Sequence, residues 1–138
     1  MSTAAMPAPT TVRDIMSRPV LTVEVGESLW DAWQLLFVSG LRHLVVLDAD
    51  GRCLGVLSDR GILVEVPATA EHLSGLRVTE VIAKVSTPVV HPTDNPTHAA
   101  EVMSRGAIEA LPVLDAGSRL VGIVTESDIV RWAGSGRI

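Results

Sequence analysis

Leu111-Pro112-Val113-Leu114-Asp115, the turn Ala116-Gly117-Ser118, and then Arg119-Leu120-Val121-Gly122-Ile123-Val124-Thr125 form a stretch that the chain has already used once. The earlier copy reads Leu44-Val45-Val46-Leu47-Asp48, a short polar turn, and Leu54-Gly55-Val56-Leu57-Ser58. Gly55 and Gly122 stand 67 positions apart, and so do Asp48 and Asp115. Each apolar run is too short for a helix and reads as a buried strand, with turn chemistry between the two. A repeat of this length limits the architecture, because one copy alone cannot bury its apolar faces. Function is expected where the copies meet.

Working outward, the flanking elements also recur. Thr11 to Met16 reads as a helical turn, with Asp14 suited to the helix dipole, and Pro19 to Val23 as an extended segment. Ser28 is the expected cap of a helix whose apolar stripe is Leu29, Ala32, Trp33, Leu36, Phe37 and Gly40. A second helix starts near Asp59. In the later copy, Val78 to Ile82 is the helical turn and Pro88 to Val90 the extended piece. Thr97 is the expected cap of a helix burying Ala99, Val102, Met103 and Gly106, and Glu126 to Trp132 is the closing helix. The predicted fold is α/β of the α+β type, with two β-α-β-β-α units about a pseudo-twofold axis. The expected organisation is a flexible tail (1–10), repeat 1 (11–64), a linker (65–76), repeat 2 (77–132) and a tail (133–138).

Composition narrows the function classes. The 138 residues are 47% hydrophobic and only 3% aromatic, so the core is expected to be Val, Leu, Ile and Ala. Mean hydropathy of +0.36 excludes a disordered chain. A net charge of −5, with Lys84 the single lysine, argues against a nucleic-acid surface. No apolar run approaches the roughly 20 residues of a membrane span. The first ten residues lack the n- and h-regions of a signal peptide. Cys53 is the single cysteine, which leaves no internal disulfide and fits a cytoplasmic location.

The in-register hairpins, the glycine within each, and Thr125-Glu126-Ser127-Asp128 together resemble the cystathionine-β-synthase (CBS) domain, which occurs in tandem pairs called Bateman modules. The resemblance covers about Val12 to Arg131. It implies two three-stranded sheets with two clefts between the repeats, which in many members hold AMP, ADP, ATP or S-adenosylmethionine. It also implies a homodimer through helices, here 28–40 and 97–106, with Trp30, Phe37 and Met103 as contact candidates. Partial burial of Trp30 within the monomer is the alternative.

Thr125, Ser127 and Asp128 are the first candidate site residues. A carboxylate in the first turn after a strand can accept both ribose hydroxyls, while the Thr hydroxyl and the free helix N–H groups face a phosphate. The structural alternative makes Thr125 an N-cap and Asp128 its N3 partner. The first copy reads Ser58-Asp59-Arg60-Gly61, with glycine where Asp128 stands, and Asp59 would point about 160–200° away on a helix. One competent cleft, in repeat 2, is therefore expected. The resemblance places adenine against Thr87, Pro88, Val89, Ile108, Ala110 and Pro112, for several of which core packing is the alternative. It also brings Arg42 and His43 toward phosphates, and a solvated Arg with a strand-end His is the alternative there.

His72, His91, His98 and Cys53 lack the short spacing of a metal motif. No nucleophile elbow or carboxylate pair marks an active site, and the chain is short for an attached catalytic domain. The expectation is a non-enzymatic, energy-sensing regulatory module with no required cofactor. It would bind AMP, ADP or ATP, or else S-adenosylmethionine, and modulate an unidentified protein. A ligand-free homodimeric scaffold is the alternative from a different class.

Overall fold

The structure is a computed structural model and describes residues 10–65, 69–82 and 87–136. The first half runs α1 (Val12–Ile15), β1 (Thr22–Glu24), α2 (Leu29–Ser39), β2 (His43–Leu47), β3 (Cys53–Ser58) and α3 (Asp59–Glu65). Two short helices, α4 (Ala70–Ser74) and α5 (Val78–Ile82), lead to α6 (Pro96–Gly106), β4 (Ala110–Leu114), β5 (Leu120–Thr125) and α7 (Glu126–Gly134). Residues 1–9 of the expected first tail, 66–68 of the expected linker, 83–86, and 137–138 of the expected second tail lie outside the described residues.

In the first sheet β1 pairs parallel with β2, and β2 antiparallel with β3, with Val46 opposite Gly55. In the second, β4 pairs with β5 so that Val113 lies opposite Gly122. The expected third strand there is reduced, among the described residues, to a parallel bridge from Val90 to Val113. Pro92, two residues on, has no amide hydrogen with which to extend a ladder. The duplicated aspartates do the same work in both hairpins. Asp48 Oδ1 accepts the amides of Asp50 and Arg52, and Asp115 Oδ1 those of Gly117 and Arg119, each at 2.9 Å. Those turns set the register that puts the glycines in equivalent places.

The leading helices are exchanged between the halves. Val12 of α1 is fully buried with Val90, Ala99, Met103, Leu111, Val113 and Val124, all residues of the second half. Val78, Val81 and Ile82 of α5 pack in the other core, with Val23, Leu29, Leu36, Leu44 and Leu57. Backbone bonds repeat the exchange: Val12 N–H donates to the Asp94 carbonyl at 2.8 Å, and Val78 N–H to that of Glu27 at 2.9 Å. A third layer, with Val45, Ala110 and Ile123 at its centre, joins the two sheets. The stretch that leaves α1, Met16 to Leu21, therefore crosses from one half to the other.

Four expectations require correction. Phe37 is 82% exposed and not part of the core stripe. Met103 is buried, so it is not available for a contact between copies; Trp30 is partly buried against its own core, the alternative given for it. The cap of α6 is Asn95, whose side chain accepts the Thr97 amide at 2.8 Å, with Pro96 opening the helix. Pro at the first helical position needs no hydrogen-bond partner, and the cap lies two residues upstream of Thr97. The expected linker contains α4, capped by Thr69, and its Leu73 is fully buried in the first core.

Candidate functional site

The crossing stretch between α1 and β1 forms one wall of a cleft of about 290 Å³. Ser17, Pro19, Val20 and Leu21 face Leu41, Arg42 and His43 at the start of β2, with Glu109 beside them. Ile123, Thr125, Glu126, Ser127, Asp128 and Arg131 close the other side, where β5 runs into α7. Ser17 is held to this side by its backbone. Its N–H donates to the Ile123 carbonyl at 2.8 Å, and Ile123 N–H returns a bond to Ser17 at 3.2 Å.

Asp128 is the one charged side chain buried among the described residues, at 2% exposure. Its Oδ2 accepts the Thr125 N–H at 2.9 Å and the Thr125 hydroxyl at 3.1 Å. Its Oδ1 accepts the Ser17 hydroxyl at 3.0 Å and Arg131 Nη1 at 3.1 Å. Thr125 and Asp128 thus form the capping box that was the structural alternative, and they do so while lining the cleft. The Thr125 hydroxyl is turned into the cap. In the first half Ser58 Oγ accepts the Gly61 amide at 2.9 Å, so the cap is duplicated and the carboxylate is not. Asp59 turns toward Arg42, at 3.8 Å from its Nε.

His43 sits between the halves. Its Nε2 is buried without a hydrogen-bond partner, 3.6 Å from Glu109 Oε2. Glu109 itself accepts from Arg60 Nη1 at 2.9 Å, tying α3 of the first half to the start of β4. Burial holds the His43 imidazole below its ordinary value, with Arg42 acting in the same direction and Glu109 and Asp59 opposing it. Burial likewise pushes the Cys53 thiol up, which opposes a nucleophilic role.

Of the sequence-selected residues, Thr125, Ser127, Asp128, Arg42 and His43 come together in this cleft. Thr87, Pro88, Val89, Ile108, Ala110 and Pro112 do not line it. Thr87 lies against Gly55 of β3, Ile108 packs on the second core, Ala110 belongs to the layer between the sheets, and Pro112 is buried in β4. The exchange of leading helices is the reason, since it brings Ser17–Leu21 and not 87–90 beside α7. Sequence reading missed Ser17, Glu109 and Arg131. Val12, Ile15 and Met16 recur as Val78, Val81 and Ile82 at an offset of 66, which marks the two turns as equivalent but carries no signal that Ser17 meets Asp128. Among the described residues no three His, Cys, Asp or Glu side chains are grouped to hold a metal ion. No helix there is long and apolar enough to cross a membrane.

The model of the CBS domain matches residues 12–68 and again 78–135. The chain belongs to the CBS domain family. The CBS pair superposes on that of protein MJ0100, in complex with 5′-methylthioadenosine and S-adenosyl-L-methionine. That match has TM-score 0.79 and 29% identity, over 93% of this chain and 98% of that one. It superposes on CBSX2 in complex with AMP at TM-score 0.76 and 29% identity, with the same coverage. Hypoxic Response Protein I, with two coordinated zinc ions, matches at TM-score 0.75 and 32% identity over 88% of this chain and 98% of that one. A homoserine O-acetyltransferase of Methanococcoides burtonii is 31% identical over 125 residues, 91% of this chain but 24% of that protein. This CBS pair therefore spans about a quarter of the length of such curated relatives.

Proposed function

We propose that this CBS pair is a regulatory module, without catalysis of its own, that holds an adenosine-containing molecule in the cleft between Ser17–Leu21, Arg42–His43 and Thr125–Arg131. The observation that carries this reading is the buried carboxylate of Asp128 on the wall of that cleft. Asp128 takes the ribose hydroxyls, Val20, Leu21 and Ile123 offer apolar surface to the base, and Arg42 faces an anionic end. AMP, ADP or ATP are the favoured ligands and S-adenosylmethionine the alternative. The ligands named for the MJ0100 and CBSX2 pairs support the class. Occupancy acts by population shift, because a ligand touching both halves favours one arrangement of them and of the helical surface offered to a regulated protein. The exposed Phe37 and Val38 of α2 support a homodimer through that helix.

Thermal unfolding with each of the four compounds tests the reading. A ligand at 100 times its Kd adds about 2.7 kcal/mol, a rise of roughly 5–10 °C at this size. Asp128→Ala removes most of the rise and Asp59→Ala leaves it. No rise with any adenosyl compound at millimolar concentration overturns it. The second reading, a ligand-free scaffold, is favoured by the glycine at position 61, where the first half has no counterpart of Asp128.

A further inference from the structure

We infer that Ser17 and Arg131 form a displaceable latch on Asp128, and that this latch sets how tightly the cleft takes a ribose cis-diol. The inference rests on the adenosine reading above and adds what must happen at the carboxylate for a diol to bind.

An ionised carboxylate offers about four lone-pair positions. All of those of Asp128 are taken by the protein's own donors: two from Thr125 on Oδ2, and Ser17 and Arg131 on Oδ1. At 2% exposure, the group has no free edge for a further donor. A diol cannot simply add; it has to take over positions already filled.

The two oxygens differ in what displacement costs. The Thr125 bonds to Oδ2 are the capping box of α7, and breaking them leaves the first turn of that helix unsatisfied. On Oδ1 both donors leave readily. The Ser17 backbone is anchored separately through Ile123, so its hydroxyl needs only to rotate. The Arg131 side chain is 73% exposed and returns to water. The Ser17 hydroxyl also lies 3.2 Å from Oδ2, bridging the edge that a cis-diol would span. Ligand binding is therefore an exchange of donors at Oδ1, and the strength of the Ser17 and Arg131 bonds is subtracted from ligand affinity.

Calorimetric titration of the full chain with adenosine and with 2′,3′-dideoxyadenosine tests this for the wild type, Ser17→Ala and Arg131→Ala. Adenosine carries no phosphate, so the charge of Arg131 has no other ligand group to meet. Each variant is expected to bind adenosine about tenfold tighter than wild type, equivalent to about 1.4 kcal/mol, with dideoxyadenosine affinity unchanged. Wild-type binding with no gain in either variant overturns the latch alone. An equal gain for dideoxyadenosine also overturns it, because the effect would not act through the diol. Failure of all three proteins to bind adenosine overturns the latch, and failure of AMP as well overturns the adenosine reading with it. Arg131→Ala, at an exposed position, decides the matter if Ser17→Ala does not fold.

Discussion

Met16, at the end of α1, lies directly over Gly122 of β5, and a Cβ on that glycine would stand 2.9 Å from the Met16 Cγ. Gly55 has the matching relation to Ile82 and Thr87 in the other half, with a Cβ there 3.1 Å from Ile82 Cδ1. The glycines of the duplicated hairpins are thus landing points for the exchanged helices.

Gly122→Ala is expected to destabilise the chain by about 1–3 kcal/mol, through overpacking against Met16. Met16→Ala should recover part of that loss in the double variant, because the two residues are in contact. Urea unfolding of the two single variants and the pair measures the coupling, and strict additivity would contradict the contact.

The exchange makes α1 part of the second half's core. Val12→Ala is expected to cost about 1–3 kcal/mol, from a fully buried site. Val38→Ala, at a position 84% exposed, should stay within about 0.5 kcal/mol. Parallel thermal melts compare the two, and a monomer in which both are silent would count against the packing of α1.

Leu73 lies in the segment between the halves yet is fully buried in the first core. Leu73→Ala is expected to cost about 2–5 kcal/mol by chemical denaturation, as a core residue does. A linker residue would cost almost nothing.

His43 gives stability a slope with pH. Its folded value lies below the ordinary 6.5, because burial disfavours the imidazolium. The unfolded chain therefore binds the proton first. Stability is full above 6.5 and is lost as pH falls through 6.5 toward the folded value. Urea midpoints between about pH 7.5 and about pH 5.5 should fall in the wild type and fall less in His43→Gln. Glu109→Gln, which removes a group that raises the His43 value, should move the imidazole resonance titration lower still.

Much of the site was legible residue by residue. Ser28 is the cap of α2, as expected, and accepts the Asp31 amide. Thr125 and Asp128 form their box for the same local reason. Phe37 misled because its helical spacing fits the core stripe while its direction points outward. The segment 87–89 stands away from the Asp128 cleft because its place depends on which half each leading helix enters. Neither α1 nor α5 carries a local signal of that choice, since both are short apolar turns at equivalent positions.

The sequence by itself determined the duplication, the hairpins with their aspartate turns, the helix caps, and the asymmetry between Asp128 and Gly61. These are consequences of neighbouring residues, and short-range hydrogen bonds and apolar periodicity specify them. Only the tertiary structure decided that the leading helices change halves, that Ser17 therefore reaches Asp128 across 111 positions, and that Glu109 stands beside His43. Those relations depend on which apolar faces pair at long range. Two nearly equal copies present nearly equal faces, so local pattern alone leaves that choice open.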